Sequence, residues 1–263
     1  MILDRFRLTD RVAIVTGSGR GIGRACALAL AEAGADIVCA ARTTDQIEQT
    51  AEAVRGLGRR ALAVSTNVLE TSELEHLVDA TKSEFGRIDV LVNNAGGWPP
   101  RPALEETEKG LERAFRFNVV QAFTLTRLCA PQMVETAGGG AIVNISSRAA
   151  SMPQTAFVAY GVAKAALNMM TRNVAAELAP KIRVNAIESG GVETDALSVV
   201  LTNAAIRKQL EDETPMKRIG QVEDIAAGVL YLASPAASWI TGKIFEIDGG
   251  AESPAFRVPV PEL

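Results

Sequence analysis

One histidine in 263 residues sets the first limit on this chain. His76 lies in a charged helical stretch, so a Ser-His-Asp hydrolase would have no base and a zinc site no ligand set. Cys26, Cys39 and Cys129 form no CxxC pair, which fits buried free thiols behaving as small hydrophobes. Long apolar runs are missing as well. No uninterrupted stretch would span a bilayer, and the opening Met1-Ile2-Leu3-Asp4-Arg5-Phe6-Arg7 places charges where a secretion signal needs an apolar segment. With a net charge of −4 and no clustered basic face, nucleic acid is not the expected partner. No Pro/Gly/Ser linker, low-complexity run or internal repeat divides the chain. These absences leave one cytoplasmic domain, residues 1–263, with no metal, no membrane and a small molecule as its partner. The 48 % apolar content is enough for a core on both sides of a sheet.

The apolar residues that are present fall into an alternating pattern. Short β-branched runs at Val12 to Val15, Asp36 to Ala40, Ala61 to Ser65, Ile88 to Val92, Ala141 to Ile145 and Arg183 to Ile187 read as buried strands. Amphipathic stretches at 21–33, 45–57, 71–86, 109–136 and 159–179 read as helices between them. Parallel neighbours need crossovers, and crossover helices cover both faces, so the expected fold is α/β, a doubly wound Rossmann sheet. Ligand then sits outside the carboxyl ends of the strands.

At the first of those ends stands Thr16-Gly17-Ser18-Gly19-Arg20-Gly21-Ile22-Gly23. Gly17 allows the tight turn, Gly21 lets backbone approach a phosphate, and Gly23 lets helix and strand pack closely. The amino end of the helix opened by Gly21 and Ile22 would face a pyrophosphate, with Ser18 and Arg20 beside it. Dinucleotide is the expected cofactor. Its type is read at the end of the second strand, where a carboxylate would accept from both ribose hydroxyls. Ala41-Arg42 offers no acid and one guanidinium, and Arg20 can close on the same 2′-phosphate, so NADP(H) is favoured over NAD(H).

A second motif lies about 140 residues further on: Tyr160-Gly161-Val162-Ala163-Lys164, with Ser147 thirteen residues before the tyrosine. Tyr160 and Lys164 are one helical turn apart and share a face. A free phenol is a poor base near neutrality, and a neighbouring ammonium would favour the phenolate. Ser147 can donate to an oxygen where negative charge develops. Ser146 is the adjacent alternative, and the spacing to Tyr160 favours Ser147. A dinucleotide loop together with a proton-transfer group points to hydride chemistry at a carbonyl or alcohol. The rival from another class is a nucleotide-binding regulator without turnover, against which the intact Ser147, Tyr160 and Lys164 argue.

From about residue 8 to 250 the chain resembles the short-chain dehydrogenase/reductase family. The likeness is carried by TGxxxGxG at 16–23, Asn93-Asn94-Ala95-Gly96, Asn118, Ser147, Tyr160, Lys164 and Asp248-Gly249-Gly250. It implies a seven-stranded parallel sheet and a homotetramer. By the same resemblance Tyr160 would be the acid/base, Ser147 the carbonyl polariser and Lys164 the ribose ligand, with Asn118 completing a tetrad through a relay water. Asn94, Ala95 and Gly96 would line the adenine ribose, Asn67 and Val68 the adenine, and Gly190, Val192 and Thr194 the nicotinamide. Within the family the chain is most similar to 7α-hydroxysteroid dehydrogenases, through stretches such as Thr194-Asp195-Ala196-Leu197 and Ser234-Pro235-Ala236-Ala237-Ser238-Trp239, several of which 3-oxoacyl carrier-protein reductases share.

One departure stands out. The family usually has Pro-Gly after the sixth strand, and here the run is Glu188-Ser189-Gly190-Gly191. The expected consequence is a looser loop with Glu188 facing solvent. Leu197, Val200, Leu201, Ala204 and Ile206 then recur at helical spacing, which fits either a flap near 195–213 over an apolar, steroid-like substrate or a face packed on the sheet or on another subunit. Trp98, Arg148 and Phe157 are the other pocket candidates. The tail at 251–263 carries three prolines and is expected to be extended and to reach a neighbouring subunit.

Overall fold

In the computed structural model, which describes residues 1–194, 202–253 and 260–261, the six β-branched runs become strands and a seventh follows them, as the family resemblance implied. They are β1 (Val12–Thr16), β2 (Asp36–Ala41), β3 (Ala61–Ser65), β4 (Val90–Asn93), β5 (Gly140–Ser147), β6 (Ile182–Ser189) and β7 (Ile244–Ile247). All pairings are parallel, in the order β3-β2-β1-β4-β5-β6-β7. The helices are α1 (Gly21–Glu32), α2 (Thr44–Gly56), α3 (Thr71–Phe85), α4 (Glu108–Phe115), α5 (Gln121–Ala137), α6 (Val158–Leu178), α7 (Ala204–Glu213) and α8 (Val222–Ala233). The doubly wound Rossmann architecture stands as expected.

Alternation along each strand sends neighbouring side chains to opposite faces. Ala13 and Val15 join Cys26, Leu30, Ile47 and Val229 in a core under α1, α2 and α8, whereas Val12 and Ile14 join Leu74, Leu77, Leu125 and Met133 under α3 and α5. Leu30, Ile47, Leu77 and Leu125 are fully buried, each worth ~2–3 kcal/mol over the exposed state. Cys26, Cys39 and Cys129 are buried free thiols, and burial pushes each up to about 12, so none is a nucleophile.

Three differences from the sequence pattern have local causes. β4 begins at Val90 and not at Ile88, because the buried Asp89 is an anchor: Arg11 and Arg87 each reach its carboxylate at 2.7 Å and Val12 N donates to it at 2.9 Å. The single helix expected at 109–136 is α4 and α5 joined by a π turn at Arg116–Val120. One extra residue in a turn leaves the apolar stripe nearly intact, so periodicity does not reveal it. α8 lies past the periodic stretches assigned above, and it packs against α1. No helix among the described residues is long and apolar enough to cross a membrane.

Candidate active site

The carboxyl ends of β1 to β6 open on one cleft of ≈ 1130 Å³. At one end lies the glycine-rich turn. Gly17 and Gly21 have φ of +65° and +54°, and a Cβ on Gly23 would stand 2.2 Å from Gly17 O. The turn is tied to its surroundings by Gly17 N to Ala40 O (2.7 Å) and by Thr50 Oγ1 to Ser18 O (2.9 Å). Among the described residues only the Thr194 side chain, at 3.6 Å, lies near a Cβ built on Gly21, so the turn presents bare backbone and the first turn of α1 to the cleft. That cradle fits a pyrophosphate. Arg20, Ile22, Arg42, Asn67, Val68, Ala95, Gly190, Val192 and Thr194 line the same space, with Arg20 and Arg42 both exposed. Ser18 is buried in the turn.

Asn94 lines the cleft and also holds the glycine turn. Its Nδ2 donates to Thr16 O (2.8 Å) and Gly17 O (3.3 Å), and its backbone N donates to Thr16 Oγ1 (3.0 Å). The amide thus fastens the end of β4 to the glycine turn, a role the motif alone did not suggest.

At the other end, Ser147 closes β5 while Tyr160 and Lys164 project from the first turns of α6. Burial raises the Tyr160 phenol above its ordinary value, and its hydrogen bond with the Ser147 hydroxyl pulls it back. Ser147 Oγ also accepts from Ala149 N at 3.2 Å. Ser146 points elsewhere, its Oγ on Lys164 O at 3.4 Å, so the two adjacent serines are told apart. Lys164 is 3 % exposed and donates to Ile145 O at 2.8 Å, with Nζ 5.7 Å from the Tyr160 ring centre. Burial brings it down to about 7. Burial therefore works against the ammonium expected beside the phenol. Asn118 sits inside the π turn, its Oδ1 accepting from Gly97 N (2.9 Å) and its Nδ2 donating to Gly97 O (3.1 Å) and Ala114 O (2.9 Å). Gly96 lies between them, since a Cβ there would stand 2.8 Å from Asn118 Oδ1 and 3.1 Å from Lys164 Nζ.

The pocket candidates divide. Phe157 meets the Tyr160 ring edge-on at 6.0 Å, and Trp98 is held over the cleft by Nε1 to Glu106 Oε2 (3.2 Å). Arg148 lines the cleft, but its guanidinium is committed to Glu188 (3.0 Å), Glu246 (2.6 Å) and Asp248 (2.8 Å). Glu188 is 3 % exposed, which corrects the expectation that it faces solvent: Arg148, Ser151 and Asn168 satisfy it inside. Leu197, Val200 and Leu201 lie outside the described residues, as does most of the tail. α7 begins at Ala204 and places Leu210 on the cleft. Gln46, Leu69, Arg116, Met152 and Gln154 also line it. They follow the strands as the crevice rule says, but which side chain turns inward is not encoded in that rule.

A family model described as enoyl-(acyl carrier protein) reductase matches residues 17–252. An uncharacterized oxidoreductase of Mycobacterium tuberculosis is 46 % identical over 263 residues, 100 % of both chains. The 7α-hydroxysteroid dehydrogenase of Escherichia coli is 40 % identical over 248 residues, 94 % of this chain and 96 % of that one. A solved 7α-hydroxysteroid dehydrogenase, complexed with NADH and 7-oxo glycochenodeoxycholic acid, matches with a TM-score of 0.91 and 38 % identity over 96 % of this chain and 98 % of its own. A glycine cradle and a serine, tyrosine and lysine set facing one cleft, in a chain matched along its length by these relatives, place the protein in the short-chain dehydrogenase/reductase family of NAD(P)-dependent oxidoreductases.

Proposed function

We propose that the protein interconverts a ketone and a secondary alcohol with NADP(H), on a bulky apolar substrate of steroid-like or alicyclic shape. The observation that carries this reading is the placement of Ser147, Tyr160 and Lys164 in the same cleft as the glycine cradle, beneath Trp98, Met152, Phe157 and Leu210. The bound nicotinamide supplies or takes the hydride. Tyr160 gives its phenolic proton to the carbonyl oxygen in reduction and recovers it in oxidation. Burial keeps that phenol protonated at rest, which suits the acid role. Ser147 donates to the same oxygen as charge develops there. Lys164 and Asn118, joined at Gly96, hold the ribose side of the cleft and the path by which the proton is replaced.

NADP(H) is favoured over NAD(H) because β2 ends in Ala41 and Arg42, with Arg20 lining the same cleft. Replacing Ala41-Arg42 by Asp-Ile is expected to move the NADPH to NADH ratio of kcat/KM by about 100-fold toward NADH, since charge-assisted bonds of ~1.5–3 kcal/mol change hands. A wild type that uses both cofactors equally would show that Arg20 and Arg42 do not select the 2′-phosphate.

The apolar lining supports the substrate class. kcat/KM compared for a hydroxysteroid, a β-ketoacyl thioester and a sugar is expected to rank the hydroxysteroid first. A lead for the sugar would refute the apolar pocket, and a lead for the thioester would make this a 3-oxoacyl thioester reductase. Phe115, Phe123, Val162 and Met169 leave an exposed apolar face on α4, α5 and α6 that a second copy would cover, which supports self-association of the kind a homotetramer needs.

A further inference from the structure

Glu188 is a buried carboxylate that the proposed chemistry does not use. It lies near the end of β6, opposite Ser146 in the ladder, with Ser189 opposite Ser147. Its Oε2 accepts from Ser151 Oγ (2.6 Å) and Arg148 Nη1 (3.0 Å), and its Oε1 accepts from Asn168 Nδ2 (2.5 Å). Arg148 directly follows Ser147, and Ser151 ends the short turn after it. Asn168 stands one helical turn beyond Lys164 and two beyond Tyr160, on the same face of α6. One side chain therefore bonds both elements that bear the reacting groups. The node continues through Arg148 to Glu246 (2.6 Å) and Asp248 (2.8 Å) past β7, and to Ala251 O (3.4 Å).

We propose that Glu188 is a positioning residue, which clamps the turn at 147–151 to α6 and so sets the Ser147 hydroxyl against the Tyr160 phenol without touching a reacting atom. A buried ion pair is weak evidence for stability, because desolvation offsets its attraction, and registry is the better-attested use of such a group. The need for registry is plain here: Ser147 is the last residue of β5, beyond which only a three-residue 3₁₀ turn carries the chain. A shift of ~1 Å between reacting groups costs up to about 100-fold in rate.

The inference rests on the reading of Ser147, Tyr160 and Lys164 as the reaction centre, so Tyr160→Phe is assayed alongside. Glu188→Ala and Glu188→Gln are measured for ketone reduction, nucleotide Kd and Tm. Glu188→Ala leaves Arg148 two carboxylates and so strands no buried cation. It is expected to lower kcat by about 10- to 100-fold with KM and nucleotide Kd within about threefold. Glu188→Gln is expected to keep about half of the wild-type kcat. Its amide oxygen still accepts from Ser151 and Arg148, and Asn168, whose Oδ1 has no hydrogen-bond partner among the described residues, can turn to accept from the new N–H. A folded Glu188→Ala with kcat within about twofold of wild type overturns the proposal, as does equal loss in both variants, which would assign the effect to charge and not to placement. Should Glu188→Ala fail to fold, Ser151→Ala and Asn168→Ala each cut one link, and unchanged kcat in both overturns it. Turnover surviving in Tyr160→Phe would instead remove the reaction centre on which the inference rests.

Discussion

Tyr160→Phe is expected to lower kcat by ~10³-fold while leaving nucleotide Kd nearly unchanged, because it deletes the proton carrier and no phosphate contact. The substitution keeps the ring, and with it the edge contact to Phe157 at 6.0 Å and the packing near Lys164 Nζ. What it removes is the hydroxyl that shares a hydrogen bond with Ser147. The loss should therefore appear in the chemical step, read as nicotinamide absorbance in a single turnover. Lys164→Ala, in contrast, should damage binding and turnover together, since that side chain holds the backbone at Ile145 and borders Gly96 where the ribose would lie. Activity of Tyr160→Phe within about tenfold of wild type sinks the acid/base assignment. Equal loss of binding in the two variants would mean that the cofactor has been misplaced in the cleft.

Gly23→Ala is the second large effect. A Cβ at this position would stand 2.2 Å from Gly17 O, 2.7 Å from Gly17 C and 2.5 Å from Asn94 Nδ2. Two of those atoms are backbone of the turn that α1 grows from, and the third is the amide that fastens the turn to β4. No flexible tip can move aside, so α1 must shift away from the sheet, at about 3 kcal/mol or more. For a chain of this size that is a drop of roughly 10 °C in Tm. Nucleotide binding, which depends on the same turn, should fall further than stability does. Gly56→Ala is the control, because nothing among the described residues lies within 4 Å of a Cβ there. A Gly23→Ala protein with wild-type Tm and nucleotide Kd would contradict the close helix–turn packing.

How much of this was legible in the chain can be argued from particular residues. The glycines at 17, 21 and 23 were readable because each answers a local demand, a left-handed φ or a missing Cβ, and local demands leave their mark in local residue choice. Tyr160 and Lys164 were readable because four residues is one helical turn. Asn118 was placed by family likeness alone. The π turn that holds it inserts a single residue into an otherwise helical pattern, and periodicity does not resolve that. Arg148 lines the cleft, but no sign in the sequence showed that its guanidinium would meet Glu188, Glu246 and Asp248, up to 100 positions away in the chain.

The sequence by itself determined the short β-branched runs and the period-3.6 stripes, the two motifs, and through them the parallel sheet with its ligand edge. Those features repeat or act over a few residues, where backbone geometry and side-chain type are directly coupled. Only the tertiary structure decided that Glu188 is buried and not solvated, that the Asn94 amide bonds the glycine turn, and that Lys164 is brought down to about 7. Each of these depends on what packs around the group. Desolvation and charge pairing are set by neighbours from other strands and helices, and β5, β6, β7 and α6 come together only when the sheet closes.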